Sequence, residues 1–313
     1  MMKAAQLTQY GGADVVTIAN DAPKPKISAD QVLVEVYAAG VNPFDWKVRE
    51  GMVRQMAELK FPAILGGDLA GVVAEVGQNV THLKPGDAVY GQAGALSSHG
   101  SFAEFAPAAG ASVDLKPASL DFIQAAALPL AGVSAFQAIV ETLKLKPDQK
   151  ILIHGGAGGI GSLAIQLAKH IGAFVATTGG TDQVELLKNL GADEVIDYKT
   201  EKFQDKLAGY DAVFDTIGSD VYEASFKVLK PGGAIVSMNA PVDEILIRQY
   251  GVSATSQYTQ VTVARLAELT NLAQQGVVAV NVDKIFPLDE APDALAYLQH
   301  GHHQGKVVIK VKD

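Results

Sequence analysis

A glycine-rich turn between an apolar strand and a helix constrains the fold of this chain most strongly. The segment Ile151–Ser162 has the sequence I-L-I-H-G-G-A-G-G-I-G-S, in which Gly156, Gly158 and Gly161 have the spacing G-x-G-x-x-G. Glycine permits a tight turn and lets the backbone approach a pyrophosphate, and the helix that follows presents N–H groups to the phosphates. We therefore predict a dinucleotide-binding turn; a turn that only packs a helix closely on a sheet is the alternative. The predicted phosphate contacts are Gly156, Ala157, Gly158, Gly159 and Ile160.

The pattern on both sides of this turn alternates between strands and helices. The predicted strands after the turn are Phe174–Thr178, Glu194–Ile196, Ala212–Asp215 and Ala234–Met238. The predicted helices are Asp182–Leu190 and 222–229, and Pro231-Gly232-Gly233 is predicted to be a turn. Such a series is typical of a doubly wound parallel sheet. We assign this nucleotide-binding domain to residues 123–265.

Both ends of the chain instead show short β segments. Runs such as Val32–Tyr37, Ala70–Val76, Ala88–Tyr90 and Phe102–Phe105 are separated by Gly, Pro, Asn and Asp, which predicts a small twisted barrel. After a predicted helix at Val261–Gln275, the tail returns to β pieces around a helix at Ala291–Gln299, and we expect it to fold back onto the first domain. The chain is thus predicted to be an α/β protein of two domains, with 1–122 and 266–313 forming the first.

Composition excludes several classes of function. The 313 residues include no cysteine, which excludes disulfides, thiolate catalysis and thiolate-ligated zinc. The net charge of −9, without a basic stripe, argues against a nucleic-acid or anionic-membrane partner. The N-terminus shows no secretory leader, so we expect a cytoplasmic protein. Phe122–Val140 is uncharged but interrupted by polar residues, glycine and proline, which predicts a buried helix pair rather than a membrane span.

Six motifs in order resemble the zinc-free quinone oxidoreductase branch of the medium-chain dehydrogenase/reductases. They begin at Gly66 (G-G-D-L-A-G-V-V-A-E-V-G), Leu83 (L-K-P-G-D-A-V-Y-G), Gly100 (G-S-F-A-E-F), Ala125 (A-A-A-L-P-L-A-G), His154 (H-G-G-A-G-G-I-G-S) and Gln304 (Q-G-K-V-V-I). The resemblance implies a GroES-like β-barrel catalytic domain and a Rossmann domain, with the coenzyme between them. It also implies a homodimer, in which the segments Ala234–Met238 and Val252–Gln257 could pair across a two-fold axis, because an apolar strand at a sheet edge favours such pairing.

The zinc ligands of the metal-dependent branch are absent from the matching positions. Gly67 and Asp68 stand where a His-Glu pair would be, and Asn42 is near the position of the first cysteine ligand. His302 and His303 are adjacent, and neighbouring side chains diverge, so we expect a solvated tail there rather than a metal site. We predict that the protein has no metal.

The resemblance implies hydride transfer to a quinone or an α,β-unsaturated carbonyl, a small hydrophobic substrate. Asn42 matches the family's asparagine at the nicotinamide and substrate, and its amide can donate to the oxygen that gains charge. A turn before Pro43 is the alternative role. Relatives usually carry tyrosines soon afterwards, whereas this chain has Trp46 and Lys47. Lys47 is therefore a candidate proton donor, with water, a coenzyme ribose hydroxyl or a purely solvated lysine as alternatives.

Coenzyme choice is predicted from the end of the second nucleotide strand. An acidic residue there would bind the ribose of NAD, but this chain has Thr178, Gly179, Gly180 and Thr181, which favours NADPH. The resemblance places Tyr198 beside the adenosine phosphate. Lys199 is an optional source of positive charge, and an ordinary surface position is the alternative for both Tyr198 and Lys199.

Three further residues complete the site that the resemblance implies. Ser134 matches a hydroxyl at the nicotinamide, Ile217 lies at a strand end that passes the ribose, and Lys306 matches a lysine near the coenzyme. An exposed strand lysine is the alternative for Lys306. A second functional class stays open, because the fold also serves NADPH-binding structural or interaction proteins with little turnover. An enoyl-thioester reductase is disfavoured by the acidic composition.

Overall fold

The computed structural model describes residues 1–301 and 303–312. Its strands, in chain order, are β1 (Met2–Leu7), β2 (Val16–Ala22), β3 (Gln31–Val41), β4 (Ala63–Ile64), β5 (Asp68–Val76), β6 (Ala88–Gln92), β7 (Phe105–Ala109), β8 (Val113–Leu115), β9 (Lys150–Ile153), β10 (Phe174–Gly179), β11 (Glu194–Asp197), β12 (Tyr210–Asp215), β13 (Leu229–Ser237), β14 (Ser253–Ser256), β15 (Val282–Pro287) and β16 (Lys306–Lys310). The helices are α1 (Pro43–Arg49), α2 (Phe122–Ala126), α3 (Pro129–Phe136), α4 (Gly159–Ile171), α5 (Val184–Asn189), α6 (Phe203–Lys206), α7 (Ser219–Ser225), α8 (Glu244–Tyr250), α9 (Val263–Gln274) and α10 (Ala291–His300).

The chain divides into two compact units. The first contains Met1–Leu130, Val261–Gly276 and Val280–Asp313, and the second contains Ala131–Gln260 and Val277–Ala279. The C-terminal segment Val280–Asp313 therefore belongs to the first unit.

The first unit is built mainly from antiparallel strands. Its larger sheet has the order β15-β16-β3-β5-β6-β8, with β7 also paired to β3, and a smaller sheet has the order β2-β1-β4. The alternating apolar residues of β3 and β5, such as Val32, Val34, Leu69 and Val73, are buried in one core. Phe102 is in the same core, with its ring packed against Gly66.

The second unit contains a six-stranded parallel sheet. Its order is β11-β10-β9-β12-β13-β14, the doubly wound arrangement of a Rossmann domain. Ile151, Leu152 and Ile153 of β9 are all buried, as expected for a central strand covered on both faces. Helix α4 stops at Gly172, which adopts the left-handed conformation with φ of 92°. The predicted fold class is therefore confirmed.

Several predicted elements are displaced or wrong. The strand predicted at Phe102–Phe105 occurs instead at Phe105–Ala109. Pro231-Gly232-Gly233 is not a turn between elements, because β13 runs through it with a register shift against β12. The uncharged stretch Phe122–Val140 forms the predicted helix pair, α2 and α3, followed by a π-helical turn. Within the described residues, no helix has both the length and the apolar character needed to cross a bilayer.

Candidate active site

Polar side chains form a row across four neighbouring strands of the larger antiparallel sheet. Lys306 begins β16, Asn42 directly follows β3, Asp68 begins β5 and Gln92 ends β6. The first three side chains are buried. Strand pairing thus brings together residues that are far apart in the sequence. We call Lys306, Asn42, Asp68 and Asp45, which contacts Asn42 from helix α1, the Asn42 cluster.

The Asn42 amide is held between a cation and a carboxylate. Its Oδ1 accepts a hydrogen bond from the ammonium group of Lys306, and its Nδ2 donates to Oδ2 of Asp68 at 2.9 Å. These partners fix which end of the amide carries the nitrogen, because a lysine ammonium only donates and an ionised carboxylate only accepts. One Nδ2–H is used by Asp68, and the second is chemically suited to donate to a substrate oxygen. The backbone of Asn42 also precedes helix α1, so the turn alternative and the site interpretation are compatible.

Asp68 collects hydrogen bonds from several elements. Besides Asn42, the backbone N–H of Leu130 donates to its Oδ1 and Oδ2 at 3.1 and 3.2 Å, and Gln92 Nε2 donates to Oδ1 at 3.4 Å. Leu130 lies in the first turn of helix α3, where N–H groups have no partner within the helix. Asp68 therefore fixes both the Asn42 amide and the start of α3.

Burial shifts the ionisation of the cluster. Burial raises the pKa of Asp45 to about 7 from 3.8, against the hydrogen bond that its carboxylate accepts from the N–H of Asn42 at 2.7 Å. Burial also raises the pKa of Asp68 and lowers the pKa of Lys306, while the attraction between these two groups opposes both shifts. Asp45 is therefore protonated in part of the molecules near pH 7.

Lys306 and Lys47 have opposite environments. Lys306 is 5% exposed, and its Nζ also donates to the Val41 carbonyl at 3.1 Å, so the exposed-lysine alternative is wrong. Lys47 is only partly buried, and its Nζ lies 5.7 Å from the centre of the adjacent Trp46 ring. Among the contacts of the described residues, none joins Lys47 to the Asn42 cluster. Its role as a proton donor stays a prediction.

The glycine-rich turn has the shape that a pyrophosphate requires. A Cβ atom on Gly156 would lie 2.1 Å from Thr177 Oγ1, and one on Gly161 would lie 2.2 Å from the Gly155 carbonyl, so these two glycines permit close packing of turn, strand and helix. A Cβ on Gly158 would meet only the Gly155 carbonyl, at 3.3 Å. Gly158 therefore leaves its outer side open for close approach to the backbone. Helix α4 begins at Gly159, so the N–H groups of Gly159 and Ile160 precede its first intrahelical bond.

A buried histidine links the turn to the neighbouring strand and helix. His154 Nδ1 lies 3.1 Å from Thr178 Oγ1, and Nε2 lies 3.0 Å from Ser225 Oγ. Ser225 Oγ donates to the Val221 carbonyl, so it accepts from Nε2–H, and Nδ1 then accepts from Thr178. Gly155 N–H in turn donates to Thr178 Oγ1 at 3.2 Å. Burial lowers the pKa of His154 to about 4, with Asp215 opposing the shift, so the ring is neutral in this network.

Other predicted coenzyme residues also lie in the parallel-sheet unit. Ile217 is exposed, and its Cδ1 would lie 3.0 Å from a Cβ atom on Gly155, which brings it beside the turn. Ser134 is buried, and its Oγ lies 2.6 Å from Thr259 Oγ1. Gly179 and Gly180 are buried at the end of β10, and Tyr198 donates its backbone N–H to the Gly179 carbonyl at 3.1 Å.

Sequence reasoning missed three residues of these networks. The sequence predicts no role for Asp45 or His154, and Asp68 stands only in the place of a zinc ligand. The usable signal is weak: Asp45 stands three residues after Asn42, the spacing at which a side chain returns to the N-cap backbone.

Within the described residues, no group of three or more His, Cys, Asp or Glu side chains is arranged to hold a metal ion. His302, one of the two adjacent histidines discussed above, lies outside the described residues.

Comparisons with known proteins identify the family. Residues 28–115 match the family described as alcohol dehydrogenase GroES-like domain, and residues 190–309 match the one described as zinc-binding dehydrogenase. The chain is 39% identical to a 2-methylene-furan-3-one reductase of Solanum lycopersicum and 38% identical to an NADPH-dependent alkenal/one oxidoreductase, chloroplastic, of Arabidopsis thaliana. Each alignment covers 98% of this chain and 79% of the relative. The chain belongs to the medium-chain dehydrogenase/reductases.

Its place within that family is supported by solved structures. The quinone oxidoreductase from Coxiella burnetii superimposes with a TM-score of 0.93 at 37% identity, over 99% of both chains. The predicted quinone oxidoreductase and alkenal/one oxidoreductase branch is therefore confirmed. The name of the family matching residues 190–309 mentions zinc, but this member has no cysteine in its sequence.

Proposed function

We propose that this protein is an NADPH-dependent oxidoreductase that reduces quinones or α,β-unsaturated carbonyl compounds without zinc. The observation that carries the proposal is the glycine-rich turn at the end of β9, whose open face at Gly158 suits a pyrophosphate. Nearly full-length similarity to alkenal/one and quinone oxidoreductases supports the substrate class. When bound, NADPH would supply the hydride that the β carbon of the acceptor receives.

The coenzyme would be held by residues of the parallel-sheet unit. Gly156, Ala157, Gly158, Gly159 and Ile160 form the proposed pyrophosphate contacts, through backbone N–H groups and the absence of obstructing side chains. Further proposed contacts in this unit are Ser134, Ile217, Thr178, Gly179, Gly180, Thr181 and Tyr198; Lys306, on β16 of the first unit, is also proposed. The shape of the turn supports this assignment, because a dinucleotide phosphate needs backbone that no Cβ shields.

Asn42 is proposed to stabilise the charge that develops on the substrate oxygen. Its amide is pre-oriented by Lys306 and Asp68, so a donating N–H costs little reorganisation during the reaction. Lys306 also places a buried ammonium group beside the amide, which favours negative charge nearby. Lys47 remains a proposed proton donor to the enolate carbon. Asp45 of the Asn42 cluster is a second proposed source of a proton, because its pKa is about 7.

The domain boundaries and the oligomeric state of the protein are also proposed. Residues 1–122 with 266–313 are proposed to form the catalytic domain, and 123–265 the NADPH-binding domain; the two compact units change over near these boundaries. For a homodimer, β13 is unsuitable because it lies between β12 and β14, whereas β14 is an edge strand. This edge strand has the polar sequence S-A-T-S, not the apolar character expected earlier. A cytoplasmic location stays a prediction.

An NADPH-binding structural or interaction role with little turnover is not favoured. The similar curated proteins named above are reductases or oxidoreductases. The buried, pre-oriented Asn42 amide also has a ready use in catalysis.

The experiment that tests the proposal follows NADPH oxidation by purified protein. The acceptors are a naphthoquinone, a simple enone and an alkenal, with an alcohol as control, and each assay is repeated with NADH. We expect turnover with the quinone or the enone, a preference for NADPH, and a loss of about 10²-fold or more in kcat for Asn42→Ala. The matched control is Asn20→Ala, an exposed asparagine of β2 in the same unit. Tight NADPH binding without turnover of any acceptor would instead support the structural role.

A further inference from the structure

A lysine side chain crosses the loop that follows the second strand of the parallel sheet. In a sheet of this order, residues after the second strand meet the adenosine ribose of the dinucleotide. Strand β10 ends at Gly179, whose register partner on β11 is Asp197, so the residues after β11 stand beside this loop. Lys199 is one of them, and its Cε and Nζ would lie 3.2 and 3.3 Å from a Cβ atom on Gly180. The absence of a side chain at Gly180 thus makes room for the lysine.

The hydroxyl groups of this loop are already engaged within the protein. Thr181 Oγ1 donates to Asp197 Oδ2 at 2.6 Å. Thr178 Oγ1 is occupied by His154 and by the N–H of Gly155. A ribose phosphate at this loop would therefore depend on a charged group more than on these hydroxyls. Lys199 is the group in position to provide that charge.

The Lys199 ammonium group has a carboxylate partner on the same loop. Its Nζ lies 3.3 Å from Oδ1 of Asp182, and the two side chains are 46% and 56% exposed. An ion pair this exposed contributes little net free energy, so it exchanges readily for a better anion. A phosphate monoester carries up to two negative charges and three strong acceptor oxygens, which makes it a better partner for an ammonium group than one carboxylate.

We propose that Lys199 recognises the 2′-phosphate of NADPH and that Asp182 competes with this phosphate for the lysine. Lys199 is then the residue that determines specificity for NADPH over NADH. Asp182 weakens that preference, because its carboxylate must release the lysine and remains near the bound phosphate. The inference rests on the proposed function, since it requires that the protein bind a nicotinamide dinucleotide at this turn.

Equilibrium binding separates this role from a general effect on the fold. Dissociation constants are measured by calorimetry for NADPH, NADH, adenosine 2′,5′-bisphosphate and AMP, with the wild type, Lys199→Ala and Asp182→Asn. The matched control is Lys230→Ala. Lys230 is also about half exposed and also paired with an aspartate, Asp211, but it lies at the amino ends of β12 and β13, at the opposite edge of the sheet.

We expect Lys199→Ala to weaken the binding of NADPH and of the bisphosphate by about fivefold or more. The affinities for NADH and AMP should change by less than about twofold. Asp182→Asn should tighten the binding of NADPH by roughly two- to fivefold. The control Lys230→Ala should leave the affinity for both coenzymes unchanged. The effect of Lys199→Ala should shrink as salt is raised, because the contact is exposed.

The possible failures are distinguishable. If the wild type binds neither coenzyme, both the proposed function and this inference are overturned. If it binds NADPH but Lys199→Ala leaves the ratio of NADPH to NADH affinity unchanged, only the inference is overturned. Weaker NADPH binding by Asp182→Asn would overturn the competing role of Asp182.

Discussion

The Nζ atom of Lys306 lies 3.9 Å from Oδ2 of Asp68, and both side chains are at most 6% exposed. The Asn42 amide accepts from the lysine and donates to the carboxylate, so the pair and the amide form one buried network. A buried ion pair pays for its desolvation only when further hydrogen bonds satisfy its members, and Asp68 receives such bonds from Leu130 and Gln92.

Removing Lys306 should therefore destabilise the protein strongly. Lys306→Met keeps the length of the side chain but leaves the buried Asp68 carboxyl group without its cation. We expect the free energy of unfolding, measured in urea at pH 7.5, to fall by about 3 to 5 kcal/mol. The matched control is Lys312→Met, which removes an exposed lysine paired with Glu35 and should leave the unfolding midpoint unchanged.

A second variant isolates the cause of that loss. In Lys306→Met/Asp68→Asn the uncompensated charge is gone, so part of the stability should return relative to Lys306→Met alone. Strictly additive losses in this double-mutant cycle would mean that the two side chains do not act as a pair.

Acid should destabilise the parallel-sheet unit through His154. Because burial lowers its folded-state pKa to about 4 from 6.5, the unfolded state binds more protons between these pH values. Stability is thus fully present above pH 6.5 and falls as the pH drops towards 4. Relative to His154→Gln, which cannot titrate, the wild type should lose about 3 kcal/mol over this window.

Urea unfolding at pH 7.5, 6.5, 5.5 and 4.5 measures this difference. His170→Gln is the matched control, since His170 is exposed at the end of α4, and its curve should parallel the wild type. Parallel curves for the wild type and His154→Gln would show that the ring is not held neutral by the fold.

The elements with the clearest local pattern were the easiest to predict. The apolar strand β9, the glycine turn and helix α4 are specified by a contiguous stretch, and they form as expected. Pro231-Gly232-Gly233 forms a bulge within β13 rather than a turn between elements: the pairing with β12 passes from Leu229 to Ala234, and the Gly232 N–H donates to the Gly251 carbonyl at 2.7 Å. Tertiary pairing here overrides local preference.

The candidate active site shows the same difference between what a local pattern predicts and what depends on strand pairing. The family resemblance predicts Asn42 and Lys306 as site residues, but their contact depends on the pairing of β16 with β3. Asp68 is reached only through the pairing of β3 with β5, in which Gly40 faces Asp68. A local pattern does not encode which strands become neighbours, so the sequence could not predict this carboxylate as the partner of the Asn42 amide.

Asp45 should change the pH dependence of stability in the opposite direction to His154. Its folded-state pKa of about 7 exceeds the ordinary 3.8, so the folded state binds more protons between these values. The contribution to stability is fully present below pH 3.8 and is lost as the pH rises to 7. Asp45→Asn keeps an oxygen to accept the Asn42 N–H but does not titrate.

The stability of Asp45→Asn relative to the wild type should therefore rise with pH between 4 and 7, by on the order of 4 kcal/mol, and then level off. Urea unfolding across this range measures it. Asp14→Asn, at an exposed position in the same unit, is the control and should show no such rise. A difference that stays constant with pH would mean that Asp45 is ionised in the folded protein throughout.

Substitutions at two glycines of the glycine-rich turn should affect stability and coenzyme binding separately. In Gly161→Ala the new Cβ would lie 2.2 Å from the Gly155 carbonyl, so the backbone must shift, at a cost of about 1 to 3 kcal/mol in unfolding free energy. In Gly158→Ala the nearest atom is 3.3 Å away and φ is −75°, so the fold should tolerate the methyl group. That methyl group would instead occupy the open face of the turn, and we expect NADPH affinity to fall by roughly tenfold or more. Urea unfolding and calorimetric titration of both variants test this pair, and a Gly158→Ala protein that binds NADPH like the wild type would place the pyrophosphate elsewhere.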